Sequence, residues 1–266
     1  MRHLKVCTLQ SELAWHHPDA NQQHFEQLIR ASDDVDIIVL PEMFLTGFTM
    51  EPESIAEPWQ GGRTEWLSAL AKETGKALCG SLVVHLGEAF YNRFIFATPD
   101  GGLCHYDKHH LFRMSAENEH YSSGDDRCLI HYRGWRILPI VCYDLRFPVF
   151  CRNQNDYDLM ICVANWPAPR RHHWRILLQA RAVENQAFVV GVNRVGQDGK
   201  GLDYSGDSMV VSFKGDLMFD SPPGEAQVGV ATLDLEDLRS YRKSFPAWAD
   251  TDRFELNAVT TRVEEL

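Results

Sequence analysis

Two runs of this chain are apolar at nearly every position and then stop at one reactive side chain: Asp36-Ile-Ile-Val-Leu-Pro leads to Glu42, and Leu138-Pro-Ile-Val leads to Cys142. A strand with one wet face alternates polar and apolar residues. A strand apolar on both sides must be covered on both, so the sheet that holds it needs a packed layer above and below. That requirement points to a layered α/β protein. Tyr-Asp-Leu-Arg-Phe-Pro148 follows the thiol, so the strand delivers Cys142 to a sharp turn at the sheet edge, a rigid mount for a nucleophile. A third strand-like run, Cys104-His-Tyr-Asp, ends at Lys108. Together the three ends suggest a Glu–Lys–Cys site for acyl transfer.

The remaining elements read as follows. Strands are expected at 5–9, 36–40, 77–85, 91–98, 103–106, 127–132, 136–141, 158–164, 187–193, 207–212, 217–219 and 229–234. Helices are expected at 19–31, with Phe25, Leu28 and Ile29 on one face, at 65–74 with Gly75 as its C-cap, and at 173–185. A tail helix begins at Leu235, and 108–124 reads as irregular. No repeat or Pro/Gly/Ser-rich linker interrupts the 266 residues, which are read as one domain, 1–266, with a tail of about 235–266 packing on a partner subunit.

The net charge of −11, without a basic stripe, argues against nucleic-acid or anionic-membrane partners. No apolar run approaches the roughly 20 residues of a membrane span, and no leader segment is read, so a cytoplasmic protein is expected. Seven cysteines are present without a CxxC pair. Free thiols in a reducing compartment are expected, with Cys7, Cys79 and Cys162 as small core residues.

A free thiol has a pKa near 8.5 and needs a base or a cation to react at neutral pH. A carboxylate can take its proton and an ammonium can stabilise the charge, so Glu42 and Lys108 suffice. The 12 histidines include the pairs 16–17, 109–110 and 172–173, whose members point apart. His105 and His109 have zinc-helix spacing, but their surroundings read as strand and loop, so no metal site is assigned.

Leu40-Pro-Glu-Met-Phe-Leu-Thr-Gly-Phe48, Tyr106-Asp-Lys-His-His-Leu-Phe112 and Val141-Cys-Tyr-Asp-Leu-Arg-Phe-Pro148 resemble the nitrilase superfamily of carbon–nitrogen hydrolases. The resemblance extends through Ala164-Asn-Trp-Pro167 and Arg181-Ala-Val-Glu-Asn-Gln186. It implies a four-layer α-β-β-α sandwich and a dimer or larger homo-oligomer. It also implies Glu42 as general base, Lys108 as transition-state stabiliser, Cys142 as nucleophile and a second glutamate after the lysine, either Glu117 or Glu119. Spacing to Ser123-Gly-Asp125 favours Glu117. The chemistry implied needs no metal or organic cofactor.

Cys-Tyr-Asp-Leu-Arg-Phe-Pro is most similar to the omega-amidase branch of that superfamily, which implies a small amide substrate carrying a carboxylate, 2-oxoglutaramate or 2-oxosuccinamate. Arg146 would fork the carboxylate, or else pair with Asp144. Tyr143, Trp166 and Phe44 are candidates for the pocket wall. Arg170-Arg-His-His-Trp174 is a solvated helix start or an attractor of anionic substrate. Three alternatives stay open: another amide, nitrile or N-carbamoyl substrate; a binding scaffold without turnover; and a hydrolase using His120 or His172 as base.

Overall fold

The doubly buried runs fold as their composition demands. A computed structural model describes residues 2–252, 254–256 and 259–266. The first half of the chain contributes β1 (His3–Gln10), α1 (Pro18–Ala31), β2 (Ile37–Val39), β3 (Glu57–Pro58), α2 (Gly62–Thr74), β4 (Ala77–Leu86), β5 (Ala89–Ala97), β6 (Leu103–Asp107) and α3 (Glu117–His120). Then follow β7 (Asp126–Tyr132), β8 (Trp135–Val141), α4 (Pro148–Cys151), β9 (Leu159–Ala164), α5 (Arg171–Asn185) and β10 (Phe188–Asn193). The last part holds β11 (Val195–Gln197), β12 (Asp203–Ser205), β13 (Met209–Val211), β14 (Leu217–Asp220), β15 (Gln227–Asp234), α6 (Leu235–Ser244) and β16 (Thr260–Glu265).

Two large sheets result. One runs β15-β1-β2-β4-β5-β6 with β3 beside β4; the other runs β14-β13-β10-β9-β8-β7-β16. The heart of each is parallel: β1, β2 and β4 in the first, β8, β9 and β10 in the second.

Strand alternation distributes the apolar runs between layers. Leu4, Val6, Ile37, Val39, Phe94 and Phe96 face inward and share a core with Ile137, Ile140 and Ile161 of the second sheet. Their neighbours Cys7, Leu9, Ile38, Leu40 and Ile95 face outward onto Phe25 and Ile29 of α1 and Leu67, Leu70 and Ala71 of α2. On the far side, Trp174, Leu178 and Ala182 of α5 join the core of the second sheet. A Cβ on Gly191 of β10 would lie 2.4 Å from Leu178, so the helix rests directly on that strand. The layers are therefore α-β-β-α. Each buried Val, Ile or Leu contributes about 1.5–3 kcal/mol.

Helix ends follow local chemistry. Pro18 opens α1 with Asp19 in its first turn and Arg30 in its last. Gly75 ends α2 at φ 70°, a left-handed value that costs glycine little.

The differences from expectation lie in short or weakly patterned segments. The stretch 108–124 contains the one-turn helix α3. The hairpin β11–β12 and strand β16 have no apolar periodicity to reveal them. β16 adds to the sheet edge by parallel pairing with β7, Thr260 against Asp126 through Glu265 against His131. Parts of the tail that was expected on a partner subunit also pack on their own chain. Leu235 and Leu238 of α6 enter the core, and Arg242 donates to the Gln186 and Tyr157 carbonyls and pairs with Asp158 at 2.8 Å.

Candidate active site

The parallel strands of both sheets end on the side where α/β proteins place their ligand sites. β8 ends at Val141, opposite Val163 of β9, so Cys142 and Asn165 leave adjacent strands side by side. The Cys142 thiol points at the Asn165 carbonyl, 3.9 Å away. Glu42 follows β2 and Lys108 follows β6. The structure brings all three together.

Glu42 is fully buried. Its Oε1 accepts from Lys108 Nζ at 3.0 Å and from Asn92 Nδ2 at 2.7 Å; its Oε2 accepts from the Asn165 backbone N–H at 2.7 Å. Lys108, 1% exposed, also donates to both oxygens of Glu117 at 2.9 Å and lies 5.0 Å over the Phe48 ring. Glu117 is fully buried and accepts from the Phe112 N–H at 2.6 Å. Glu119, on the same short helix, is exposed, so of the two glutamates it is Glu117 that reaches the lysine.

Three residues at or beside these groups take left-handed backbone angles although none is glycine: Met43 (φ 43°), Ala116 (60°) and Cys142 (47°). Each such residue costs about 1–3 kcal/mol and persists only where the surroundings hold it. Asp144 supplies that hold at Cys142. Its buried carboxylate accepts from the Val141 N–H at 3.0 Å, the Tyr106 hydroxyl at 2.8 Å and the His110 N–H at 2.9 Å, with His110 Nδ1 at 2.8 Å. Arg146 therefore does not pair with Asp144. Met43 is pinned by Ser81, whose Oγ accepts from the Met43 N–H and donates to Asn92, both at 2.8 Å. At the lysine, a Cβ on Gly124 would lie 2.3 Å from the Asp107 carbonyl, so only glycine lets that loop close on the end of β6.

Two buried carboxylates share one ammonium here. Burial raises the Glu117 carboxyl above its usual range; Lys108 opposes that rise and Glu42 adds to it. Burial alone would lower Lys108, yet Glu117 and Glu42 hold it above the ordinary lysine value, so it stays charged. Burial pushes the Cys142 thiol well above its ordinary value, and the charge and hydrogen bond of Glu42 raise it further. Cys142 therefore rests as a neutral thiol beside Glu42.

A pocket opens onto the thiol, lined by Phe48, Phe112, Tyr143, Trp166, Arg146 and Arg170 among others, with Lys108 and Asn165 at its floor. Tyr143 and Trp166 thus line it as expected, and so does Arg146, whose guanidinium stacks 4.6 Å over the Trp166 ring. Phe44 does not. The left-handed turn at Met43 sends it to the outer face of the first sheet, where it is fully buried against Phe25, ring centroids 5.5 Å apart. Phe48, four residues on, takes the place facing the lysine. Neither His120 nor His172 lines the pocket. Among the described residues no three His, Cys, Asp or Glu side chains converge as metal ligands would.

Sequence reasoning missed Asn92 and the holding role of Asp144; for Arg170, which lines the pocket, it had offered attraction of anionic substrate as one of two readings. Asn92 carried a signal, a polar residue inside an apolar strand. Asn165 carried another, since β9 stops at it as abruptly as β8 stops at Cys142.

The carbon-nitrogen hydrolase family model matches residues 5–243. The chain is 47% identical over 256 residues to omega-amidase YafV of Yersinia enterocolitica, covering 96% of this chain and 100% of that protein. It is 30% identical to the 2-oxoglutaramate amidase of Bacillus subtilis, covering 92% and 96%. In structure it is similar to XC1258 of Xanthomonas campestris, a CN-hydrolase superfamily protein solved with an arsenic adduct in its active site. That similarity has a TM-score of 0.94 and 41% identity, covering 97% of this chain and 100% of that one.

Proposed function

Because the chain belongs to the carbon–nitrogen hydrolase family, we propose that Cys142, Glu42 and Lys108 carry out amide hydrolysis as nucleophile, base and electrostatic stabiliser, with Glu117 holding the lysine. The protein is an omega-amidase, a hydrolase of linear amides whose substrates are 2-oxoglutaramate and 2-oxosuccinamate. The observation that carries the reading is the buried Glu42–Lys108–Glu117 cluster against the thiol at a strained strand end.

The chemistry follows from the raised thiol. Little thiolate exists beforehand, so Glu42 must remove the proton as sulfur attacks the amide carbonyl. The carbonyl oxygen becomes an oxyanion, met by the Lys108 ammonium and the Tyr143 N–H. Tyr143 sits in the first turn of the 3-10 helix Cys142–Arg146, where backbone N–H groups lack helical partners. One donor of this kind is worth about 3–4 kcal/mol in the transition state. Glu42 returns the proton to the departing nitrogen, ammonia leaves, and a thioester links Cys142 to the acyl group. Water, deprotonated by Glu42, then cleaves the thioester to the 2-oxo diacid and free thiol. Arg146, with its charge facing the pocket, holds the substrate carboxylate.

Two further readings belong with this one. The seven free thiols support a cytoplasmic location. Phe245 and Trp248, exposed in the tail, support a homodimer or larger assembly with 235–266 at the contact; light scattering tests it, and a monomer at micromolar concentration refutes it.

The deciding experiment compares ammonia release from 2-oxoglutaramate, glutamine and simple aliphatic amides. Preference for 2-oxoglutaramate is expected. Equal rates on all three, or faster turnover of a nitrile or N-carbamoyl compound, overturns the substrate assignment.

A further inference from the structure

The outer half of the pocket carries more positive charge than one fork for a carboxylate needs. Arg146, Arg170 and Lys200 all line it. Among the described residues none of the three has a carboxylate within ion-pair distance. Asp198 is the acid of that region, and it is turned to its own hairpin: it accepts the Lys200 and Leu202 N–H groups at 2.8 and 2.9 Å and the Tyr204 hydroxyl at 3.0 Å. The protein as a whole has a net charge of −11, so this concentration of unmatched cations is local.

The two arginines are built in rather than loosely placed. Trp166 organises both. Its ring lies under the Arg146 guanidinium at 4.6 Å, and its indole N–H donates to the Arg170 carbonyl at 2.8 Å. Arg170 closes a 3-10 turn, Ala168–Arg170, and its guanidinium lies 5.4 Å over Phe112, whose own N–H is held by Glu117. Arg146 is steadied on its other side by His173 Nδ1 at 3.2 Å. Aromatic faces hold a guanidinium without neutralising it. Burial and the charge of Arg170 both push the Arg146 guanidinium below its ordinary value, so the two cations repel each other. Such a pair is relieved by an anion placed between them.

We propose that Arg170 is a second specificity residue, forming with Arg146 a two-guanidinium subsite for the anionic end of the substrate. This rests on the amidase reading above and deepens it. A 2-oxo carboxylate is flat and offers three oxygens on adjacent carbons, enough for two planar forks. An amino acid amide such as glutamine places an ammonium in the same position, where it meets two uncompensated guanidiniums. The subsite therefore selects 2-oxo acid amides by attraction and rejects 2-amino acids by repulsion.

The test measures kcat and KM of wild type, Arg170→Gln and Arg170→Lys on 2-oxoglutaramate, on glutaramate, which keeps the carboxylate but lacks the oxo group, and on neutral butanamide. Arg170→Gln is expected to lower kcat/KM on both acid amides about 10- to 100-fold, mainly through KM, and to change it on butanamide no more than about threefold; Arg170→Lys recovers part of the loss. Equal losses on all three substrates, or none, overturn the proposal. A second readout needs no turnover. In the Cys142→Ala background, adding Arg170→Gln should weaken 2-oxoglutarate binding by a similar factor, and an unchanged Kd overturns the subsite. If wild type hydrolyses glutaramate but not 2-oxoglutaramate, the substrate assignment fails, and the ratio of glutaramate to butanamide still decides the role of Arg170.

Discussion

Lys108 donates to both carboxylate oxygens of Glu117 at 2.9 Å, with Glu117 fully buried and Lys108 nearly so. The ammonium is thereby aimed, since its remaining bond to Glu42 and its place over Phe48 follow from that anchor. Glu117→Gln keeps the shape and an acceptor for Phe112 but halves the negative charge around the lysine. We expect kcat to fall about 10²- to 10³-fold with KM changed only a few-fold. Wild-type kcat in a folded variant refutes the anchoring role.

Cys142→Ala and Cys142→Ser should each abolish turnover, by about 10⁴-fold or more, and leave urea stability near that of wild type. The thiol's polar contacts are a long one to the Asn165 carbonyl and a hydrogen bond with Glu42, so the fold loses little. Retained activity in Cys142→Ala would end the assignment of the nucleophile.

Asp144→Ala removes the acceptor shared by Val141, Tyr106 and His110 and frees the strained turn at Cys142. Unfolding free energy should drop by about 3 kcal/mol or more. Activity should fall beyond what the remaining folded fraction explains. Urea titration and kcat on the same sample check both, and a drop below about 1 kcal/mol contradicts the clamp.

Arg146→Lys should raise KM for acid amides about tenfold, because an ammonium cannot make two parallel bonds or stack on Trp166 as a guanidinium does. Neutral amides should be spared. Equal losses on acidic and neutral substrates remove Arg146 from the carboxylate role.

Stability should decline at alkaline pH. Burial raises the thiols of Cys79 and Cys162, and pushes Cys151 up to about 12. A thiol whose folded value is raised stabilises fully below its unfolded value, near 8.5, and loses that contribution as pH rises toward its folded value. For Cys151 the window runs from about 8.5 to about 12. Within it each such thiol removes about 1.4 kcal/mol per pH unit. Urea midpoints under reducing conditions from pH 7 to 10 should be level at first and then fall, and Cys151→Ala should flatten the fall. A level profile to pH 10 contradicts it.

The strands that carry the site were legible because continuous apolar runs cannot be stable with a wet face, and because each stopped abruptly at Glu42 or Cys142. Short range was enough for those, as it was for Gly75 and the helix faces of Phe25 and Ile29. Spacing leaned toward Glu117, but which of the two neighbouring glutamates is buried was decided by the tertiary structure, since Glu117 and Glu119 differ in which way a one-turn helix points. It likewise decided that Phe48 and not Phe44 faces the lysine, because the left-handed turn at Met43 is held by Ser81 from another strand. Asp144, Asn92 and the pairing of β16 with β7 also escaped local reading. A carboxylate, an amide and an exposed edge strand acquire their partners from residues distant in sequence, and no local periodicity records where those partners will be.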